Sequence, residues 1–293
     1  MILLTGSSGF VGTSVVNYFG LEKTYKLKRG ERILNNLAKI VIHLAGKAHD
    51  LKKIASPDEY YQVNTELTKQ VFDAFLISNA RVFIILSSVK AVADKLDGEL
   101  TENHNPSPIT HYGKSKLLAE QYIFSKEIPE GKRVYVLRPC MIHGPGNKGN
   151  LNLLYNICSK NLPWPLGAFD NKRSFCSIDN LMFIFRELIE REDIPSGIYN
   201  VADDEPLSTN ELVNLIAHSQ NRKPKIWRIS KRLIEGAAYF GDKLHLPLNT
   251  ERLHKLTSSF VVSNSKINGV IGKSLPVSSR EGLISTFNSF NNL

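Results

Sequence analysis

Short apolar runs alternate with helical patterns through the first half of this chain. MILLTG (1–6), AKIVIHLAG (38–46), RVFIILSS (81–88) and RVYVLRP (133–139) read as strands, as does KTYKLK (23–28). Between them, VGTSVVNYF (11–19), YYQVNTELTKQVFDAFLISN (60–79) and HYGKSKLLAEQYIFSK (111–126) read as helices. Strands that are apolar throughout and separated by helices predict a parallel sheet covered on both faces. Right-handed crossovers then make the fold α/β with a doubly wound parallel sheet. The stretch from Gly12 to Val41 is short for two complete strand–helix units, so one crossover is expected to be short or missing.

Past Pro139 the pattern loosens. IHGPGNKGN and NLPWPLGAFDNKRS are rich in Gly, Pro and Asn and read as loops, and SGIYNVAD (196–203) reads as a late strand returning to the sheet. The expected division is a sheet domain over 1–143 plus about 176–203, and a smaller C-terminal α/β lobe over about 144–175 and 204–293.

The composition, 42% apolar and 22% charged, is that of a globular protein. Lys and Arg total 37 against 28 Asp and Glu, a balance that suits an anionic ligand. Cys140, Cys158 and Cys176 are odd in number and form no CxxC pair, so neither a disulfide framework nor a metal site is expected. The N-terminus has no basic leader, and no apolar run approaches the roughly 20 residues of a membrane span. A cytoplasmic protein is expected.

LLTGSSGFVG sets Gly6, Gly9 and Gly12 directly after the first strand and at the start of a helix. Glycines there let the backbone turn sharply and approach a pyrophosphate, which the helix N-terminus then binds. Ser8, Phe10 and Val11 complete this expected dinucleotide loop. At the end of the second strand, where an acid normally holds the ribose hydroxyls, stand Lys28 and Arg29. They suit a 2′-phosphate and lean towards NADP over NAD, with a solvated charged turn as the plainer alternative.

Tyr112 and Lys116 lie four apart on one helical face. A phenol beside an ammonium can be pulled from its ordinary pKa of about 10 towards neutrality and serve as acid or base. Ser88 ends its strand at the carboxyl edge, where such sheets bind ligands, and its hydroxyl can donate to a substrate oxygen. A turn cap is the alternative for that serine.

Taken in order, TGSSGFVG, VIHLAG, VNTELTKQV, ILSSVKAV, YGKSK, LRPCMIHGPGNKGN, PLGAFDNKRSFCSIDNL, YNVADDEPLS and LTSSFVVSNSKINGVIG carry a resemblance along nearly the whole chain. They resemble the extended short-chain dehydrogenase/reductases, in particular the NAD-dependent nucleotide-sugar epimerase/dehydratase superfamily. The nearest likeness is to UDP-hexose 4-epimerases and UDP-N-acetylquinovosamine-type 4-keto reductases. The resemblance implies a Rossmann-like domain bearing NAD or NADP and a lobe for a nucleoside-diphosphate sugar, most often UDP-linked. It implies a catalytic set of Tyr112, Lys116 and Ser88, and cofactor contacts from Leu44, Ala45, Gly46, Asn64, Ser87, Pro139 and Ile142 besides the glycine loop. Substrate contacts are implied for Lys47, Val89, Asn150, Arg173 and Arg252. The 4,6-dehydratases carry an Asp-Glu pair where this chain has Val89 and Lys90, so that activity is not expected. His143 and Met141 depart from the usual Tyr and Asn.

A homodimer through the helices bearing Tyr112 and Asn64 is also implied. Val71, Phe75, Leu118 and Ile123 would serve that contact or the sheet face. A non-catalytic dinucleotide-binding scaffold or regulatory protein on the same fold is the competing class, argued against by the intact tyrosine and lysine. No nucleic-acid recognition motif is present. The segment NRKPKIWRISKRLIEGAAYFGDKLHL (221–246) interleaves cations with Trp227, Ile229, Leu233 and Ile234. It reads as an amphipathic lobe helix with a solvated basic face or as a contact for an anionic membrane.

Overall fold

The computed structural model describes residues 1–20, 24–26, 38–47, 56–147, 149–160, 162–244 and 249–290, with the backbone alone at 24–26 and 150. Strands β1 (Ile2–Thr5), β2 (Thr24–Lys26), β3 (Ile40–His43), β4 (Val82–Leu86), β5 (Arg133–Pro139) and β6 (Gly197–Val201) form one sheet. Its order is β2-β1-β3-β4-β5-β6 and every pairing is parallel. The helices are α1 (Phe10–Phe19), α2 (Pro57–Tyr60), α3 (Leu67–Ile77), α4 (His111–Phe124), α5 (Asn150–Ser159), α6 (Ile178–Glu190), α7 (Thr209–Ser219), α8 (Lys231–Leu244), α9 (Thr250–Thr257), α10 (Ser265–Ile271) and α11 (Ser279–Phe290). Between α2 and α3, Tyr61–Glu66 winds as a π-helical turn, a local widening common at functional sites.

The doubly wound fold expected from the apolar strands is the observed one. Leu3, Val41, Phe83 and Val134 stand in register across four strands and pack under Val71, Phe72 and Phe75 of α3 and Ile123 of α4. The other face, with Leu4, Ile42, Ile84 and Tyr135, is equally buried. The order places β1 between β2 and β3, and β2 ends the sheet among the described residues. Residues 27–37, where a crossover was expected to be short, lie outside the described residues.

Two compact units divide the chain. One takes Met1–Cys140, Asn180–Ala202 and Ser263–Pro276; the other takes the described residues of Met141–Asp179, Asp203–Val262 and Val277–Leu293. The divisions at 140 and 180 replace the expected 143 and 176, and 263–276 joins the sheet unit instead of the lobe. The reason is local bonding. Ile267 and Ile271 of α10 are buried, Arg191 donates to the Ile271 carbonyl, and Lys273 pairs with Glu187 of α6 at 2.7 Å.

The second unit has its own core, in which Leu151, Tyr155, Trp164, Phe175, Ile216 and Phe287 pack together. His143 is fully buried there, within hydrogen-bond reach of Thr286 Oγ1 at 2.9 Å and of Asp203 at 3.3 Å. No helix among the described residues is long and apolar enough to cross a membrane. Val71, Phe75 and Ile123 pack against the sheet, whereas Leu118 is exposed, so three of the four residues considered for a dimer contact serve the core.

Candidate active site

Parallel strands bring their carboxyl ends to one edge, and the first thing built there is the glycine turn. Gly6 has φ +72° and backs directly onto the segment after β3. A Cβ at Gly6 would lie 2.6 Å from the Ala45 nitrogen, and one at Gly12 would lie 2.2 Å from the Gly6 carbonyl oxygen. Only glycine permits that fold of the turn against α1. Gly9 caps α1 with no side-chain hydrogen bond, and the first turn holds no acid. Its open N–H groups and positive dipole end suit a pyrophosphate.

A buried hydrogen-bond chain fixes the next segment. The Ala45 N–H donates to Thr5 Oγ1 at 3.1 Å, and Thr5 meets His43 Nδ1 at 2.7 Å. Thr68 gives its single hydroxyl hydrogen to the Asn64 carbonyl at 2.7 Å, so it accepts from His43 Nε2 at 2.9 Å. His43 Nε2 therefore carries a proton. Burial, with the Lys116 cation adding to it, pushes the His43 pKa down to about 3. Asn64 sits in the π-helical turn, fully buried. Its Oδ1 accepts from the Lys47 N–H at 2.8 Å and its Nδ2 donates to Lys47 O and Ser115 Oγ.

Gly46 marks the junction with α4. A Cβ there would come within 3.0 Å of Asn64 Oδ1 and 3.1 Å of Lys116 Nζ. Lys116 donates to the Leu86 carbonyl at 2.9 Å. Burial pulls its pKa down to about 8, with Glu120 opposing. Tyr112, half-buried, is hydrogen-bonded through its hydroxyl to Ser88. Its phenol stands above its ordinary value, raised first by burial and also by Tyr60, with the Ser88 bond pulling it down. The sequence predicted a phenol lowered by Lys116; burial instead sets the direction, and the group that pulls against it is Ser88.

The start of α4 is placed by residues the sequence reading passed over. Asp94 accepts from the Ile109 and Thr110 N–H groups at 2.7 and 3.1 Å, and Thr110 caps Gly113. A Cβ at Gly113 would lie 2.2 Å from the Lys90 carbonyl oxygen. That approach sets Tyr112 beside Ser88, and a small residue between the tyrosine and lysine of YGKSK was its signal.

Ser87, expected at the cofactor, turns its hydroxyl to the Glu120 carboxylate and its N–H to the Leu137 carbonyl. Glu120 is clamped in turn by Arg138 Nε at 3.0 and 3.1 Å, all within the interior. The role of Ser87 here is to seat that buried ion pair. Lys47 pairs with Glu59. Val89 is buried, opening a short 3₁₀ turn, and Ser88 caps that turn from Lys90 N at 3.2 Å. Pro139 is buried at the end of β5. Ser8 and Gly9 are exposed, Phe10 and Val11 half-buried.

Ile142, Asn150, Arg173 and Arg252 belong to the second unit. Arg173 donates to Ser258 O and Oγ at 2.8 and 2.6 Å, and burial lowers its pKa. Arg252 is exposed on α9. Lys28, Arg29 and the Asn150 side chain lie outside the described residues.

Residues 29–202 match the model of the NAD dependent epimerase/dehydratase family. The chain belongs to that family. Among relatives, a UDP-glucose 4-epimerase of Vibrio cholerae is 30% identical over 249 residues, 74% of each chain. An N-acetyl-alpha-D-glucosaminyl-diphospho-ditrans,octacis-undecaprenol 4-epimerase of Escherichia coli O157:H7 is 28% identical over 245 residues, 76% of this chain and 73% of that one. The crystal structure of a UDP-glucuronic acid 4-epimerase from Bacillus cereus in complex with NAD shares the fold, with a TM-score of 0.74 at 17% identity over 99% of this chain and 98% of that one. For this epimerase/dehydratase family member, the fold is thus matched over nearly the whole length of the chain.

Proposed function

We propose that this protein is an NAD(P)-dependent nucleotide-sugar 4-epimerase or 4-keto reductase acting at C4 of a UDP-hexose or UDP-N-acetylhexosamine. One observation carries the reading: unbroken contacts run from the glycine turn through Ala45, Gly46 and Asn64 to Lys116, with Tyr112 on Ser88 along the same strand-end crest. Gly6, Gly9 and Gly12 would hold the pyrophosphate, and Lys116 the nicotinamide ribose. When bound, the nicotinamide supplies the hydride acceptor or donor.

In the oxidation direction the Tyr112 phenolate takes the 4-hydroxyl proton while Ser88 bonds that oxygen. In reduction Tyr112 returns the proton to the 4-keto oxygen. An epimerase differs only in presenting both faces of the 4-keto sugar, so both activities use the same residues. A 4,6-dehydratase finds no support: Val89 is buried and apolar, and Lys90 Nζ donates to the Asp94 carbonyl at 3.0 Å. The activity of the Vibrio cholerae relative supports a UDP-linked sugar. A role in surface-polysaccharide sugar supply and a cytoplasmic setting, in which Cys140, Cys158 and Cys176 stay reduced, complete the proposal. Lys28 and Arg29 favour NADP.

Incubation with a panel of UDP-hexoses, followed by NMR of the products, tests this. Epimerised sugar without net cofactor consumption marks the epimerase, and NAD(P)H consumption with a 4-keto sugar marks the reductase. Cofactor binding with neither leaves the scaffold reading. As a second check, Gly12→Ala forces α1 away from Gly6. It should weaken NAD(P) binding at least about tenfold by calorimetry, equivalent to about 1.4 kcal/mol. Unchanged affinity would move the cofactor off the glycine turn.

A further inference from the structure

Helix α8 buries Ile234, Ala238 and Gly241. Its exposed surface carries apolar side chains beside the charged ones. Leu233, Phe240 and Leu244 are 69%, 62% and 67% exposed. Together with exposed Ala237 they recur at alternating steps of four and three, forming one apolar stripe along the helix. Trp227, just upstream, and Tyr239 are also largely exposed.

The charge around this stripe is one-sided. Seven lysines and arginines lie between Arg222 and Lys243, against Glu235 and Asp242. All seven cations are exposed, and none of them forms an ion pair with a carboxylate among the described residues. Arg232 and Lys243 flank the stripe on one side, and the Lys243 ammonium lies over the Tyr239 ring at 4.9 Å.

We propose that the outer face of α8, with Trp227 and the cations preceding it, docks onto an anionic lipid bilayer. Apolar and aromatic side chains would enter the headgroup boundary while lysine and arginine neutralise the surface charge. The charge decides between occupants. A second copy laid on the same stripe would bring Arg232 and Lys243 against cations of its own, whereas anionic lipid complements them. The proposal stands whichever sugar the catalytic unit takes.

The test is co-sedimentation of the full chain with vesicles of phosphatidylcholine alone or mixed equally with phosphatidylglycerol. The wild type should pellet with the anionic vesicles at low salt, stay in the supernatant with neutral ones, and be released by about 1 M salt, where screening lengths shrink to a few ångströms. Leu233→Glu/Phe240→Glu should lower the bound fraction roughly tenfold or more, with unchanged melting temperature and unchanged turnover of a soluble UDP-sugar. Three results overturn the proposal. One is wild type that ignores both vesicle types. Another is a variant that pellets as well as wild type. The third is light scattering that shows a dimer which the double variant dissociates.

Discussion

Tyr112→Phe lowers kcat on the preferred nucleotide sugar by roughly 10²–10⁴-fold, the range for a lost general acid–base group. The change removes one oxygen. The ring keeps its edge contact with Tyr60 at 6.3 Å between centroids, and Asp94 and Thr110 still seat the helix. Cofactor affinity should therefore change little, and calorimetry beside steady-state kinetics separates the two effects. Burial raises the phenol above its ordinary value, so the free enzyme carries it protonated near neutral pH, ready to donate to a 4-keto oxygen. Oxidation requires the phenolate, which positive charge from Lys116 and an oxidised nicotinamide would favour. In that direction kcat/KM rises with pH through the neutral range in the wild type, and the variant loses this dependence. Turnover within about threefold of wild type would remove Tyr112 from the reaction.

What could be read from the sequence was what has a local period or a short spacing. The sheet followed from strands apolar on both faces, the glycine turn from its place between β1 and α1, and the Tyr112–Lys116 pair from one helical turn. What could not be read depends on residues far apart in the chain. Thr5, His43 and Thr68 look unrelated until β1, β3 and α3 meet, and then they hold the Ala45 backbone. Ser87 and Ser88 are adjacent, yet strand geometry sends one to Glu120 and the other to Tyr112. Arg173, implied as a substrate contact, places two of its donors on the loop at Ser258, 85 residues on, which no local spacing announces. The placement of 263–276 in the sheet unit rests on Arg191 and Lys273 bonds that no periodicity announces.

Lys116→Met should abolish activity and yet stabilise the fold. Lys116 is 7% exposed, and burial brings its pKa from 10.5 to about 8. The unfolded chain holds the proton more tightly, so the cation costs stability in full below about pH 8. That cost fades as pH rises from about 8 towards 10.5, because in that window the unfolded state binds more protons. A shift of this size corresponds to about 3 kcal/mol at neutral pH. Methionine leaves the Leu86 carbonyl without its donor, a loss of about 1–2 kcal/mol. The net gain is about 1–2 kcal/mol, a rise of roughly 2–8 °C in melting temperature for a chain of this size. Thermal melts between neutral pH and pH 10 check the sign: the variant's advantage should be largest near neutrality and shrink as the wild-type lysine sheds its proton. A gap that is constant with pH, or a less stable variant at neutral pH, would show that the ammonium is not held against its solvation.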